Sequence, residues 1–174
     1  MKSLDLLRKE LSCLKKMLKS KKNICAVTTN RSDFNILSSL VSMINNSDIF
    51  ELNLIVSGQH VNCLKPIHGS MNEIPDFYRL HKVPYSPDGD TSEAIVGACL
   101  RMQSELASVL ANLQVDCALL LGDRMETLCA GMVFHMLGIP IIHIHGGELS
   151  AGSRDDDRRH ALTKLSQFHM VATQ

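Results

Sequence analysis

Four short loops and one helix start gather most of the residues that could move protons or hold anions. Gly122-Asp123-Arg124 sets a carboxylate and a guanidinium directly after an apolar run. His143-Ile144-His145-Gly146-Gly147-Glu148 joins two imidazoles and a carboxylate around a glycine pair, and Asp155-Asp156-Asp157-Arg158-Arg159-His160 packs three acids against three basic side chains. Thr29-Asn30-Arg31 and Gly58-Gln59-His60 add a further guanidinium and imidazole. Carboxylates and imidazoles are the side chains of general acid–base catalysis. Glycines let a backbone approach a ligand closely.

Each cluster also has a plainer reading. Asp123 follows a strand and precedes a helix, where Asp is a preferred N-cap, so capping and catalysis stand level. Strand alternation predicts His143 and His145 on one side, and a structural loop with one satisfied histidine would account for both. The HxHxxE spacing offers no firm third ligand for zinc, so no metal site is assigned. Three acids in the first turn of a helix suit its dipole. Packed together, they could also hold one acid protonated through mutual repulsion. The GxGxxG, GxxxxGK[ST] and GxSxG patterns are absent, which removes the main support for nicotinamide, P-loop and serine-nucleophile readings.

These residues act together only if the elements between them bring them to one place. Residues 24–28, 51–56, 117–121 and 140–144 are short apolar runs read as strands, with a weaker strand over 78–83 and a last one over 169–173. Between them, helices are predicted over 32–45, from Thr91 or Ser92 to about Leu113, over 125–137 ending at Gly138, and over 155–167. The helix over 125–137 is apolar almost all round and is expected to be buried. Residues 59–77 read as loop with irregular helix, and 84–90 as turns. Strands apolar on both faces that alternate with helices predict a Rossmann-like parallel α/β sheet covered on both sides. Ligands meet such sheets at the carboxyl ends of the strands, and the four loops fall there.

The 174 residues suit one compact domain, and 18 basic against 18 acidic side chains argue against a dedicated nucleic-acid binder. No apolar run reaches the ~20 residues of a membrane span, and no signal peptide is apparent. The six cysteines form no CxxC and sit mostly among apolar residues, which predicts reduced core thiols and a cytoplasmic protein. The balance conceals an asymmetry: residues 1–22 carry eight basic side chains and two acids, a charge of +6.

The stretches Leu121-Gly122-Asp123-Arg124-Met125-Glu126-Thr127-Leu128, Ile142 to Glu148 and Asp155 to His169 together resemble the UDP-N-acetylglucosamine 2-epimerase family. The likeness is greatest to its hydrolysing branch, which feeds sialic and related nonulosonic acid synthesis. Arg31 and Ser57-Gly58-Gln59-His60 fit as well. The resemblance runs from about Asn23 to Gln174, strong over 119–173 and diffuse over 59–115. It implies the N-terminal domain of a GT-B fold, in which two Rossmann-like domains face each other across a cleft. It also implies a chain that stops before the second, nucleotide-holding domain and is inactive alone.

The family reaction, as the resemblance implies it, needs no cofactor. UDP-GlcNAc loses its C2 proton and UDP by anti elimination; water then adds to the glycal, and C2 is reprotonated from the other face. The resemblance makes Asp123, Asp155 and either Glu148 or His145 the acid/base set. Some relatives carry Glu at the position of His145, which leaves that choice open. Arg31 is the candidate for stabilising the departing diphosphate. His60, Arg124, Gly146 and Gly147 are expected at the substrate, while Arg159 and His160 orient the loop or contact the diphosphate. The sugar is UDP-GlcNAc or a UDP-diacetamido-trideoxyhexose, and the full-length protein is expected to be a homo-oligomer.

Residues 1–22 fall outside the resemblance. Leu4, Leu7, Leu11, Leu14 and Leu18 predict a basic amphipathic helix that packs on its own domain or a second subunit, or touches a membrane surface. Two other functions stay open: a GT-B glycosyltransferase domain, which would not require the carboxylate set, and a non-catalytic truncated remnant.

Overall fold

An apolar run in a central strand must bury both of its faces. In the computed structural model, which describes residues 21–62, 78–149 and 154–171, strand β1 (Lys22–Thr28) does so. Cys25 and Val27 point into one core, and Ile24 and Ala26 into another on the opposite side. The elements that follow are α1 (Arg31–Asn45), β2 (Phe50–Val56), α2 (Gly58–Asn62), β3 (Arg79–Lys82), α3 (Ser92–Leu110), β4 (Cys117–Leu121), α4 (Met125–Met136), β5 (Ile141–Ile144), α5 (Arg154–Leu165) and β6 (Phe168–Met170). All strand pairs are parallel. Their order is β3-β2-β1-β4-β5-β6. This is the Rossmann-like sheet that the alternating pattern implied.

Helix α1 covers one face. Phe34, Leu37 and Val41 recur at helical spacing and seat against Leu52, Leu54, Val56, Leu119 and Leu121. Asn30 caps the helix, its side chain accepting from Ser32 N–H at 3.1 Å, a contact worth roughly 1 kcal/mol. On the other face, Met102, Leu106 and Leu110 of α3 join Ala130, Val133 and Phe134 of α4 and Leu162 of α5 over Val27, Ile55, Leu120 and Ile141. Each fully buried side chain of this kind contributes about 1.5–3 kcal/mol. Thr91 is the N-cap of α3 and accepts from Ala94 N–H at 3.2 Å.

The structure departs from the sequence reading in several places. Helix α3 ends at Leu110 rather than near Leu113, and the residues it buries are Ala98, Met102, Leu106 and Leu110. Helix α4 is not buried all round: Met132, Met136 and Leu137 are exposed on its outer side, because only one helical layer covers the sheet there. Strand β6 ends at Met170 and its residues are exposed, as an edge strand allows. Residues 58–62 form the short helix α2. The amphipathic segment predicted over 3–20 lies outside the described residues, as does 63–77. No helix among the described residues is long and apolar enough to cross a membrane.

The strand order reverses between β1 and β4, and a crevice opens there at the carboxyl edge. The loops leaving β1 and β4 flank that crevice, and those leaving β2 and β5 stand beside them.

Candidate active site

The loop after β4 carries Asp123 to the rim. Asp123 is not the cap of α4: Arg124 takes the N-cap position and makes no side-chain cap bond. The Asp123 carboxylate instead accepts from Arg159 Nη2. Arg159 stands on α5 and is only 8% exposed. Its Nη1 donates to the Glu148 carbonyl at 2.8 Å and to Asp156 Oδ1 at 3.2 Å. One guanidinium therefore ties together the β4 loop, the β5 loop and the first turn of α5. Arg158 adds a second tie, donating from Nε to the Asp123 carbonyl at 3.0 Å and pairing with Asp155. The aspartates at the head of α5 are thus not left to repel one another, since Asp155 and Asp156 each face an arginine.

The loop after β5 breaks the predicted alternation. The strand ends at Ile144, and His145 takes a left-handed conformation with φ 61°, which turns its side chain away from the course of the strand. His145 Nδ1 lies 2.8 Å from Glu148 Oε1 at the rim. His143 is fully buried and points elsewhere, its Nε2 2.8 Å from the Gly122 carbonyl. The two histidines hold different environments because the backbone turns between them. Gly146 is buried and Gly147, at φ 76°, is exposed.

At the crevice between β1 and β4, Arg124 Nε lies 2.9 Å from Asp33 Oδ2, which also accepts from Thr29 Oγ1 at 3.0 Å. Arg31 opens α1 on the same side, and its Nε is buried without a hydrogen-bond partner. His60 is enclosed, 1% exposed, with Nδ1 3.0 Å from Thr28 Oγ1 and its ring 5.4 Å from that of Phe34. Burial, then the neighbouring Arg31, pushes its pKa down, so the imidazole is held neutral. In this position His60 braces the β1 and β2 loops and does not reach the rim. His160 is exposed on α5 and does not line the cleft around Asp123 and Asp155.

A cleft of about 330 Å³ is lined by Asp123, Arg124, Met125, Glu126, Asp155 and Arg158. The structure thus brings Asp123, Asp155 and Arg124 to one cavity; Arg159 joins it through Asp123, and the His145–Glu148 pair is linked to it through the Glu148 carbonyl and Arg159. Glu126, which lies in a helix read as apolar almost all round, is not singled out from the sequence. Burial raises its pKa, against the pull of Arg124 and Arg158. Its carboxylate abuts Gly58, where an added Cβ would stand 2.6 Å from Glu126 Oε1. The signal available for it was its position in the first turn of a helix opening at a strand's carboxyl end. Among the described residues, no three His, Cys, Asp or Glu side chains converge in a way that could hold a metal ion.

A family profile described as UDP-N-acetylglucosamine 2-epimerase matches residues 42–174. The chain is 31% identical over 155 residues to the GDP/UDP-N,N'-diacetylbacillosamine 2-epimerase (hydrolyzing) of Campylobacter jejuni, covering 88% of this chain and 40% of that protein. It is 33% identical over 155 residues to the UDP-N-acetylglucosamine 2-epimerase of Neisseria meningitidis, with the same coverage of 88% and 40%. A solved structure of UDP-GlcNAc 2-epimerase from Neisseria meningitidis bound to UDP-GlcNAc superposes with a TM-score of 0.70 at 20% identity, over 86% of this chain and 39% of that one. The chain spans about 40% of the length of the curated relatives it matches.

Proposed function

The chain belongs to the UDP-N-acetylglucosamine 2-epimerase family, and we propose that it forms the proton-transfer wall of a hydrolysing sugar-nucleotide 2-epimerase. The observation that carries this reading is the convergence on Arg159. It gathers Asp123, the Glu148 backbone and Asp156 at the carboxyl edge of the sheet. A carboxylate at that edge removes the C2 proton of the sugar. The C2–H pair becomes the C1=C2 double bond, and the C1–O bond breaks with its electrons leaving on UDP. Water then adds its oxygen to C1 while a proton from a second group enters C2 on the opposite face. The products are the free 2-epimeric sugar and UDP.

In this reading Asp123 is one acid/base, Asp155 in the same cleft is a second, and the His145–Glu148 pair supplies the remaining proton transfer. Arg31 and Arg124 meet the diphosphate. Gly146 and Gly147 allow the sugar to approach the β5 loop. Arg159 holds the set in place, and His60 acts from beneath by bracing the β1 and β2 loops. His160, which does not line the cleft, is assigned to orienting the loop or contacting the diphosphate by its motif position alone. The expected division is a Rossmann-like unit over 23–174 with an appended basic segment over 1–22; Lys22, as the first residue of β1, belongs with the sheet. The free thiols of Cys25, Cys99, Cys117 and Cys129 suit a reducing cytoplasm, and a homo-oligomer is the expected assembly. A glycosyltransferase domain moves no proton at C2 and would not require this carboxylate set.

The test is to incubate the intact protein separately with UDP-GlcNAc and UDP-N,N'-diacetylbacillosamine, following UDP release by ³¹P NMR and the sugar by ¹H NMR. The reading expects UDP and the 2-epimeric free sugar from one of them. UDP release with retained configuration at C2, or no reaction with either, contradicts it.

A further inference from the structure

His143 belongs to the motif that suggested chemistry, yet it is fully buried and cannot meet a ligand. Its hydrogen bonds define what it does. Nε2 lies 2.8 Å from the Gly122 carbonyl, a group that can only accept, so Nε2 carries the proton. Nδ1 of the neutral ring is then an acceptor, and the hydroxyl of Thr163 on α5 lies 3.2 Å from it. With its proton committed to Nδ1, Thr163 Oγ1 accepts from Gly147 N–H, also at 3.2 Å. The chain of bonds runs in one direction: Gly147 N–H to Thr163 Oγ1, Thr163 O–H to His143 Nδ1, His143 Nε2–H to Gly122 C=O.

This chain joins the three segments that carry the acid/base set. Gly122 immediately precedes Asp123, Gly147 immediately precedes Glu148, and Thr163 lies on the helix that bears Arg159. A glycine is required at 146, because an added Cβ would stand 2.7 Å from His143 Nδ1 and 3.1 Å from Thr163 Oγ1. Burial lowers the pKa of His143; His169 on β6 and Arg159 on α5 act the same way, while the Gly122 bond and Asp123 oppose them. We infer that His143, fixed as the Nε2–H tautomer, and Thr163 are positioning residues, a latch beneath the rim that sets where Asp123 and Glu148 stand relative to each other. The role in turnover rests on the proposed acid/base function of those two residues; the latch itself does not.

The experiment combines ¹⁵N-histidine NMR of the intact protein with kinetics of Thr163→Ser and Thr163→Val. At neutral pH the His143 ring is expected as a single Nε2–H tautomer, and the Val variant is expected to speed hydrogen exchange at Gly147 N–H while Ser does not. In turnover, Val lowers kcat by roughly tenfold to a hundredfold, the scale set by a small misplacement of catalytic groups. Its KM stays near the parental value, and Ser restores kcat. An Nδ1–H tautomer, or unchanged Gly147 exchange in the Val variant, overturns the latch even if the protein proves inactive on both sugars. A Val variant with parental kcat overturns its role in positioning.

Discussion

Arg159 Nη2 donates to the Asp123 carboxylate and so fastens the first turns of α5 to the loop leaving β4. The same guanidinium reaches Asp156 and the Glu148 carbonyl. A single buried cation thus fixes an acid and a loop that the sequence separates by 25 or more positions. Arg159→Leu removes all three contacts. The expected loss is about 2–3 kcal/mol of stability, below the cost of breaking a fully buried pair, because Asp123 and Asp156 retain some water. Arg159→Lys keeps the charge, but one ammonium cannot span three acceptors, and it should fall between parent and Leu. Urea unfolding midpoints of the three proteins measure this, and a Leu variant as stable as the parent would refute the hub.

Glu126 gives the fold a pH dependence of known sign. Burial raises its pKa in the folded chain, so the folded state keeps a proton that the unfolded chain has lost. The Glu126 contribution to stability is therefore fully present below the ordinary glutamate value of about 4.3 and is lost as pH rises through the raised folded value, opposite in sign to that of Asp116, whose pKa is lowered. Glu126→Gln should flatten that decline and leave the protein more stable than the parent at neutral pH. Urea midpoints taken across a pH series test it; parallel curves for the two proteins would show that Glu126 does not titrate in this window.

Gly58 is held at φ 56° with an added Cβ placed 2.6 Å from Glu126 Oε1 and 2.8 Å from the Thr29 carbonyl. Gly58→Ala should cost more than the roughly 1–2 kcal/mol of left-handed backbone alone. Pairing it with Glu126→Ala should recover only part of the loss, since the Thr29 contact is with backbone and cannot yield. Thermal unfolding of the single and double variants reads the coupling. Strict additivity would mean that the two residues do not meet.

The sheet was legible because β1 and β4 are apolar on both faces and β2 and β5 nearly so, and because these short runs alternate with helices, as the covered strands of a parallel sheet do. The rim loops followed from the rule that places ligands at carboxyl ends. Side-chain partners were not legible. Asp123 resembles a cap at the sequence level, and only the tertiary approach of Arg159 shows otherwise. His143 and His145 look equivalent under strand alternation, but a left-handed backbone at His145 separates a buried brace from a rim imidazole. Glu126 was hidden because its significance comes from Gly58, a residue 68 positions away. The exposed side of α4 escaped the reading because an apolar helix gives no sign in its own sequence of how many layers will cover it.

The account rests on a rim carboxylate taking the proton from C2. The direct test is turnover of the sugar nucleotide in D₂O by the intact protein and its Asp123→Asn variant, with deuterium at C2 of the product read by NMR. The parent should release 2-epimeric sugar deuterated at C2, and Asp123→Asn should slow that by about 10²–10⁴-fold without loss of folded structure. Product that retains its original C2 hydrogen, or an Asn variant as fast as the parent, would contradict the account.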